Sequence, residues 1–156
     1  MDTIVPIIQV VIALGIYNVW LVRFGKSTSW RGGDARNLGE EFAVYGLPSW
    51  FIWVVGFLKL LCATLLIVGI WVPAVTKPAA VGMAVLMLGA VTMHLKVSDP
   101  PKRALPAFTM LVLSVIVAVA GGVHLALSSV RITRSGAYGA GRSSRNSARS
   151  FPLDVK

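Results

Sequence analysis

Four apolar stretches decide what this chain can fold into. They lie at about residues 4–23, 49–72, 78–95 and 104–127. Each approaches the roughly 20 residues that a helix needs to cross hydrocarbon about 30 Å thick. Only 13% of the 156 residues are charged and 56% are hydrophobic. A soluble domain carries about 25% charged residues, so a water-soluble fold would have more apolar surface than it could hide. The chain therefore reads as an all-α membrane protein, an antiparallel four-transmembrane-helix bundle occupying residues 1–127. The first run is expected to be retained, because no basic region precedes it and no small-residue cleavage site follows. From Ser128 the composition turns to Arg, Ser and Gly, and residues 128–156 are expected to be a disordered basic tail.

The connections carry the polar residues. Between spans one and two, a short interfacial helix is expected from Asp34 to Tyr45. Asp34 is placed to cap it, and Ala35, Leu38, Phe42 and Tyr45 share one face. Gly46 is expected to end that helix and Pro48 to open the next element. Val72 to Lys77 is read as a turn, with Pro78 opening span three. Ala79, Gly82, Gly89 and Ala90 then recur at helical spacing and would allow close helix–helix contact. Asp99-Pro100-Pro101 reads as a stiff turn that starts span four.

The net charge of +9 does not imply nucleic acid, since the basic residues sit between apolar runs and in the tail. The expected surroundings are the lipid bilayer and a protein partner or a second copy of the chain. One cysteine, Cys62, excludes an internal disulfide and the paired-cysteine chemistry of membrane thiol oxidoreductases. It reads as a small packing residue. No metal-ligand spacing, phosphate cradle or nucleophile elbow is present.

Lys59 is the residue that most invites a function. It lies about 15 Å into span two at about 1.5 Å per residue, where a charge costs about 2.5–3.5 kcal/mol. It requires an anionic partner, a wet cavity or a snorkelling route along Trp53 and Gly56. Glu40 and Glu41 are its candidate partners. Tyr17, Asn18, Thr92, His94 and Asp99 fall toward the same membrane face, and with Lys59, Glu40 and Glu41 they form a candidate polar pocket. A histidine and carboxylates beside aromatic residues are suited to handling protons for a quinone. Taken singly, Tyr17 and His94 also read as interface residues and Asn18 as a bond to a neighbouring helix.

Several segments in order resemble the DoxX-like family of small four-helix membrane proteins. They are Arg31-Gly-Gly33, Glu40-Glu-Phe-Ala-Val-Tyr-Gly-Leu-Pro48, Val55-Gly-Phe-Leu-Lys-Leu60, Met87-Leu-Gly-Ala-Val-Thr-Met-His-Leu-Lys96 and Asp99-Pro100. The resemblance covers about residues 4–123 and implies the four-helix fold. The family takes its name from a subunit of a thiosulfate:quinone oxidoreductase, and other members are linked to oxidative-stress complexes as scaffolds. No catalytic residue carries over. A non-catalytic membrane subunit or scaffold is expected, and the isolated chain is not expected to be an enzyme. The alternatives are a subunit of a quinone-linked oxidoreductase, with quinone as the one cofactor class, and a small-solute transporter acting as an oligomer. The expected location is a bacterial cytoplasmic membrane.

Overall fold

A computed structural model describes residues 3–123. Helix α1 covers Ile4–Tyr17 and continues as a π-helical turn, Asn18–Val22. Helix α2 covers Leu38–Val44, α3 Phe51–Val68, α4 Pro73–Lys96 and α5 Pro101–Val123. Four of these helical segments are long and apolar enough to cross a membrane: Ile4–Val22, α3, α4 and α5. Residues 3–121 fall within one compact unit. The expected tail and the end of the fourth run near Leu127 lie outside the described residues.

The spans alternate in direction. Trp20, after α1, meets Gly56 early in α3, whereas Gln9 near the start of α1 approaches Gly69 beyond the end of α3. Met110 of α5 packs on Gly15 of α1, and Gly121 lies beside Thr76 and Lys77 near the start of α4. The centre holds Ile12, Ala13, Ala63, Leu66, Ala80 and Met83 with almost no exposed surface. Lipid tails are as apolar as these side chains, so their burial gains packing rather than escape from water. Small residues let the helices approach. Ala79 and Ala80 are buried, and a Cβ on Gly82 would stand 3.0 Å from Cys62 Sγ, which gives Cys62 its packing role. A buried polar clasp joins the far ends of the spans: Gln9 Nε2 donates to Thr76 Oγ1 at 3.3 Å, and Thr76 Oγ1 donates to the Gly69 carbonyl at 3.0 Å.

Three expected boundaries move. Helix α4 starts at Pro73, not Pro78. Pro73 occupies the first turn, where its missing N–H has no intrahelical role, and Pro78 is carried inside the helix. The turn between α3 and α4 therefore shrinks to 69–72. Helix α5 starts at Pro101, three residues before the apolar run at Ala104. Helix α2 starts at Leu38, and Asn37 rather than Asp34 caps it. Gly32 and Gly33 form a turn closed by Ala35 N–H on the Gly32 carbonyl, with Gly33 at φ 55, so Asp34 precedes any helical geometry.

Candidate functional site

The site sits where the 23–48 connection and the α4–α5 turn meet the bundle. Three local devices build it. The first is the π turn after α1, where Arg23 N–H bonds the Asn18 carbonyl at 2.9 Å. Its extra residue per turn leaves Trp20 buried among the spans while Asn18 stays exposed.

The second device fixes α2. Asn37 accepts from Glu40 N–H at 2.9 Å, and the Glu40 carboxylate accepts from Arg36 N–H and Asn37 Nδ2, both at 2.7 Å. This reciprocal cap uses Glu40 at the helix start. At the other end Gly46, at φ 74, donates to the Ala43 carbonyl, and Leu47 N–H donates to Phe42, which is a Schellman ending. The third device is the same motif at the end of α4. Ser98, at φ 56, donates to the Leu95 carbonyl, and Asp99 N–H donates to the His94 carbonyl at 3.0 Å. That ending brings the Asp99 side chain back onto the His94 ring.

Two buried charge clusters follow. Arg31 Nη1 donates to Glu41 Oε2 at 2.9 Å, and the rest of its guanidinium is held by the carbonyls of Arg23, Phe24 and Lys26. Glu41 Oε1 accepts from Gly32 N–H and the Tyr45 hydroxyl, each at 2.9 Å. Burial above all, with the Glu41 charge, pushes the Tyr45 phenol far above its usual range, so it remains a donor. In the second cluster Asp99 accepts from His94 Nδ1 at 2.8 Å, Arg103 Nη1 at 3.0 Å and Gly33 N–H at 2.9 Å. The Tyr45 hydroxyl lies 3.3 and 3.4 Å from the two ring nitrogens of His94, linking the clusters.

Burial works to raise the Asp99 carboxyl, yet the bonds from Gly33, His94 and Arg103 prevail and hold it below its ordinary 3.8. The stabilisation is therefore complete above 3.8 and is lost as pH falls through the lower folded value. Thermal stability of the purified protein will decline on acidification below 3.8. Asp99→Asn will lower stability at neutral pH and flatten that decline. An Asp99→Asn melting profile parallel to wild type across the acid range would show that the clasp contributes nothing.

Above these clusters a cavity of about 510 Å³ opens into the bundle. Glu41, Tyr45, His94 and Arg103 line its polar end. Ile16, Val55, Leu86, Ala90, Ala107 and Met110 form much of its apolar wall, and Lys59 and Trp20 stand within it. Val19, Val85, Gly89 and Pro106 also line it and are themselves exposed on the outside of the bundle, so the cavity reaches the lipid-facing surface. Lys59 Nζ lies 5.6 Å from the Trp20 ring centroid. Among the described residues it forms no ion pair: Glu41 is bound to Arg31, and Glu40 is committed to the α2 cap. The aromatic face offsets part of its burial and leaves its three donors for other groups.

Of the eight residues read as a pocket, Lys59, His94, Glu41 and Asn18 line this cavity. Asp99 stands behind His94. Glu40, Tyr17 and Thr92 are outside it. Tyr17 shares a 2.9 Å hydrogen bond with Thr64 of α3, and Thr92 donates to the Leu88 carbonyl of its own helix. Gly89, read as a helix contact, has nothing among the described residues within 4 Å of a Cβ and forms cavity wall instead. Arg31, Tyr45, Arg103 and Trp20 escaped the sequence reading. Arg31 stood in a loop beside other arginines, Tyr45 sat on an apolar helical face, and Trp20 lay within a hydrophobic run. The Arg31-Gly-Gly33 turn was the signal that a backbone closes onto something there.

Residues 18–119 match the model of the DoxX-like family, a range that includes every residue lining the cavity except Gly15 and Ile16 of α1. The chain belongs to the DoxX-like family. No curated protein and no solved structure matched it. With its four apolar helices, this DoxX-like chain is a multi-pass integral membrane protein.

Proposed function

We propose that the protein is a non-catalytic membrane subunit that binds a lipid-soluble molecule whose head carries a hydrogen-bond acceptor, a quinone being the class that fits. The observation carrying this reading is Lys59, a cation without an ion-pair partner among the described residues, inside a largely apolar cavity that reaches the lipid-facing surface. Intramembrane charges of this kind mark ligand paths, and apolar cavities with a few convergent polar groups are the usual form of small-molecule sites. A quinone would enter laterally, lay its ring and tail against the apolar wall and accept from the Lys59 ammonium through a carbonyl oxygen. Any electron transfer belongs to a separate redox subunit, and the proposed location is a bacterial cytoplasmic membrane.

Trp20 and Trp30 line the cavity and supply the readout, because quinones quench indole fluorescence. Titration of the purified protein with a short-chain ubiquinone will show saturable quenching. Lys59→Met will weaken the binding by about 10- to 100-fold, the worth of a hydrogen bond to a charged group. Equal affinity in the variant, or quenching that never saturates, would remove the basis for the reading.

A further inference from the structure

The His94–Asp99 pair has a chemical consequence beyond fastening a turn. The Asp99 side chain is 2% exposed and its carboxyl is held low by three donors, so it faces His94 as a carboxylate. A carboxylate can only accept, and the proton at the 2.8 Å contact is therefore on His94 Nδ1. In the neutral ring, Nε2 is then the acceptor. Tyr45 has one hydroxyl proton, and its shorter bond, 2.9 Å, delivers that proton to Glu41 rather than to the ring at 3.3 to 3.4 Å. The Nε2 lone pair is left for a donor arriving from the cavity that His94 lines.

We infer that His94, oriented by Asp99, is a proton-exchanging group of the cavity, and that the ligand it serves carries an ionisable hydroxyl, as a quinol or another phenol does. This rests on the cavity reading above and adds a chemical role to one wall. The ligand O–H bond breaks, its proton passes to Nε2 and its electron pair stays on the ligand oxygen. Imidazolium and phenolate result, with nothing oxidised or reduced. Asp99 compensates the imidazolium as a positioning residue. The surroundings suit the phenolate. Asp99 and Tyr45 contact His94 directly, and Glu41 of α2, Arg31 of the preceding loop, Arg23 at the end of the π turn and Arg103 of α5 line the same cavity. Lys96 of its own helix donates to the Tyr45 carbonyl at 3.0 Å, and Lys59 of α3 lines the same cavity. The cations Arg23, Arg31, Lys59, Lys96 and Arg103 outnumber the carboxylates Glu41 and Asp99.

The test uses the full chain in nanodiscs and an ortho-nitrophenol bearing a para-decyl chain, whose visible absorbance reports its ionisation. The methyl ether of that probe serves as the non-ionisable control. Bound to wild type, the phenol will ionise about one pH unit or more below its value in protein-free discs, a tenfold shift in the equilibrium. His94→Gln will bind both probe and ether but lose the shift, and Asp99→Asn will reduce it. A bound phenol that ionises as it does in empty discs overturns the inference. A shift that survives in His94→Gln overturns it too, because the Lys59 charge would then suffice. Should His94→Gln fail to fold, Lys59→Met decides at raised protein concentration: a retained shift supports the His94 role, and a lost one overturns it. If neither phenol nor ether binds saturably, the cavity reading itself fails and this inference with it.

Discussion

Glu41→Gln will destabilise the protein by about 3–5 kcal/mol, while Glu40→Gln one residue earlier will change stability by less than about 1 kcal/mol. The two glutamates are chemically identical and neighbours in sequence, so the contrast isolates the environment. Among the described residues Glu41 is the only carboxylate on Arg31, and their side chains are 11% and 6% exposed. The neutral amide would leave a guanidinium buried against carbonyl groups with no countercharge. Its NH₂ group would also replace an acceptor that now serves Arg31, Gly32 N–H or the Tyr45 hydroxyl. A donor there faces donors. Removing one partner of a buried pair is far more damaging than never having had the pair. Glu40 lies exposed, and glutamine fills the same role in a reciprocal helix cap. Thermal melting of both variants in one detergent checks the prediction. A Glu41→Gln midpoint no lower than that of Glu40→Gln would mean that the Arg31 cluster does not hold the loop.

Gly56→Ala will lose about 1–3 kcal/mol, whereas Gly89→Ala will be neutral or slightly stabilising. Both glycines lie inside transmembrane helices, where alanine has the better intrinsic propensity. A Cβ at Gly56 would overlap the Trp20 indole, with Cε3 only 2.8 Å away. The rigid ring is 7% exposed among the spans and has little room to yield. Its displacement would also move the aromatic face beneath Lys59, so the variant will bind quinone less well in the fluorescence titration. Gly89 has nothing among the described residues within 4 Å of a Cβ, which leaves only the propensity gain. Melting temperatures that fail to separate the two variants would show that the α1–α3 contact is looser than the Trp20–Gly56 packing implies.

The four spans and their order were legible in the sequence because lipid imposes a local demand. Each segment must satisfy its own backbone and present apolar side chains over a fixed thickness, so length and hydropathy suffice. The end of α2 at Gly46 was equally local, since a left-handed residue followed by Leu47-Pro48 closes a helix without help from distant contacts. The starts of α2 and α4 were not. Asn37 displaced Asp34 because the Gly32–Gly33 turn is tied to Glu41 and Asp99, and Pro73 displaced Pro78 because a proline is tolerated in a first turn as readily as before one.

Lys59 announced itself through the unfavourable placement of a charge in an apolar run, a feature visible without any structure. Its surroundings did not. Whether Glu40 or Glu41 met Lys59 depended on where α2 began and which way each carboxylate turned. The fold gave Glu41 to Arg31, Glu40 to the helix cap, and Lys59 to the face of Trp20. A hydropathy pattern specifies which residues enter the membrane. Only the packed bundle decides which polar groups meet there, because those pairings join positions up to 70 residues apart, as Arg103 and Gly33 do.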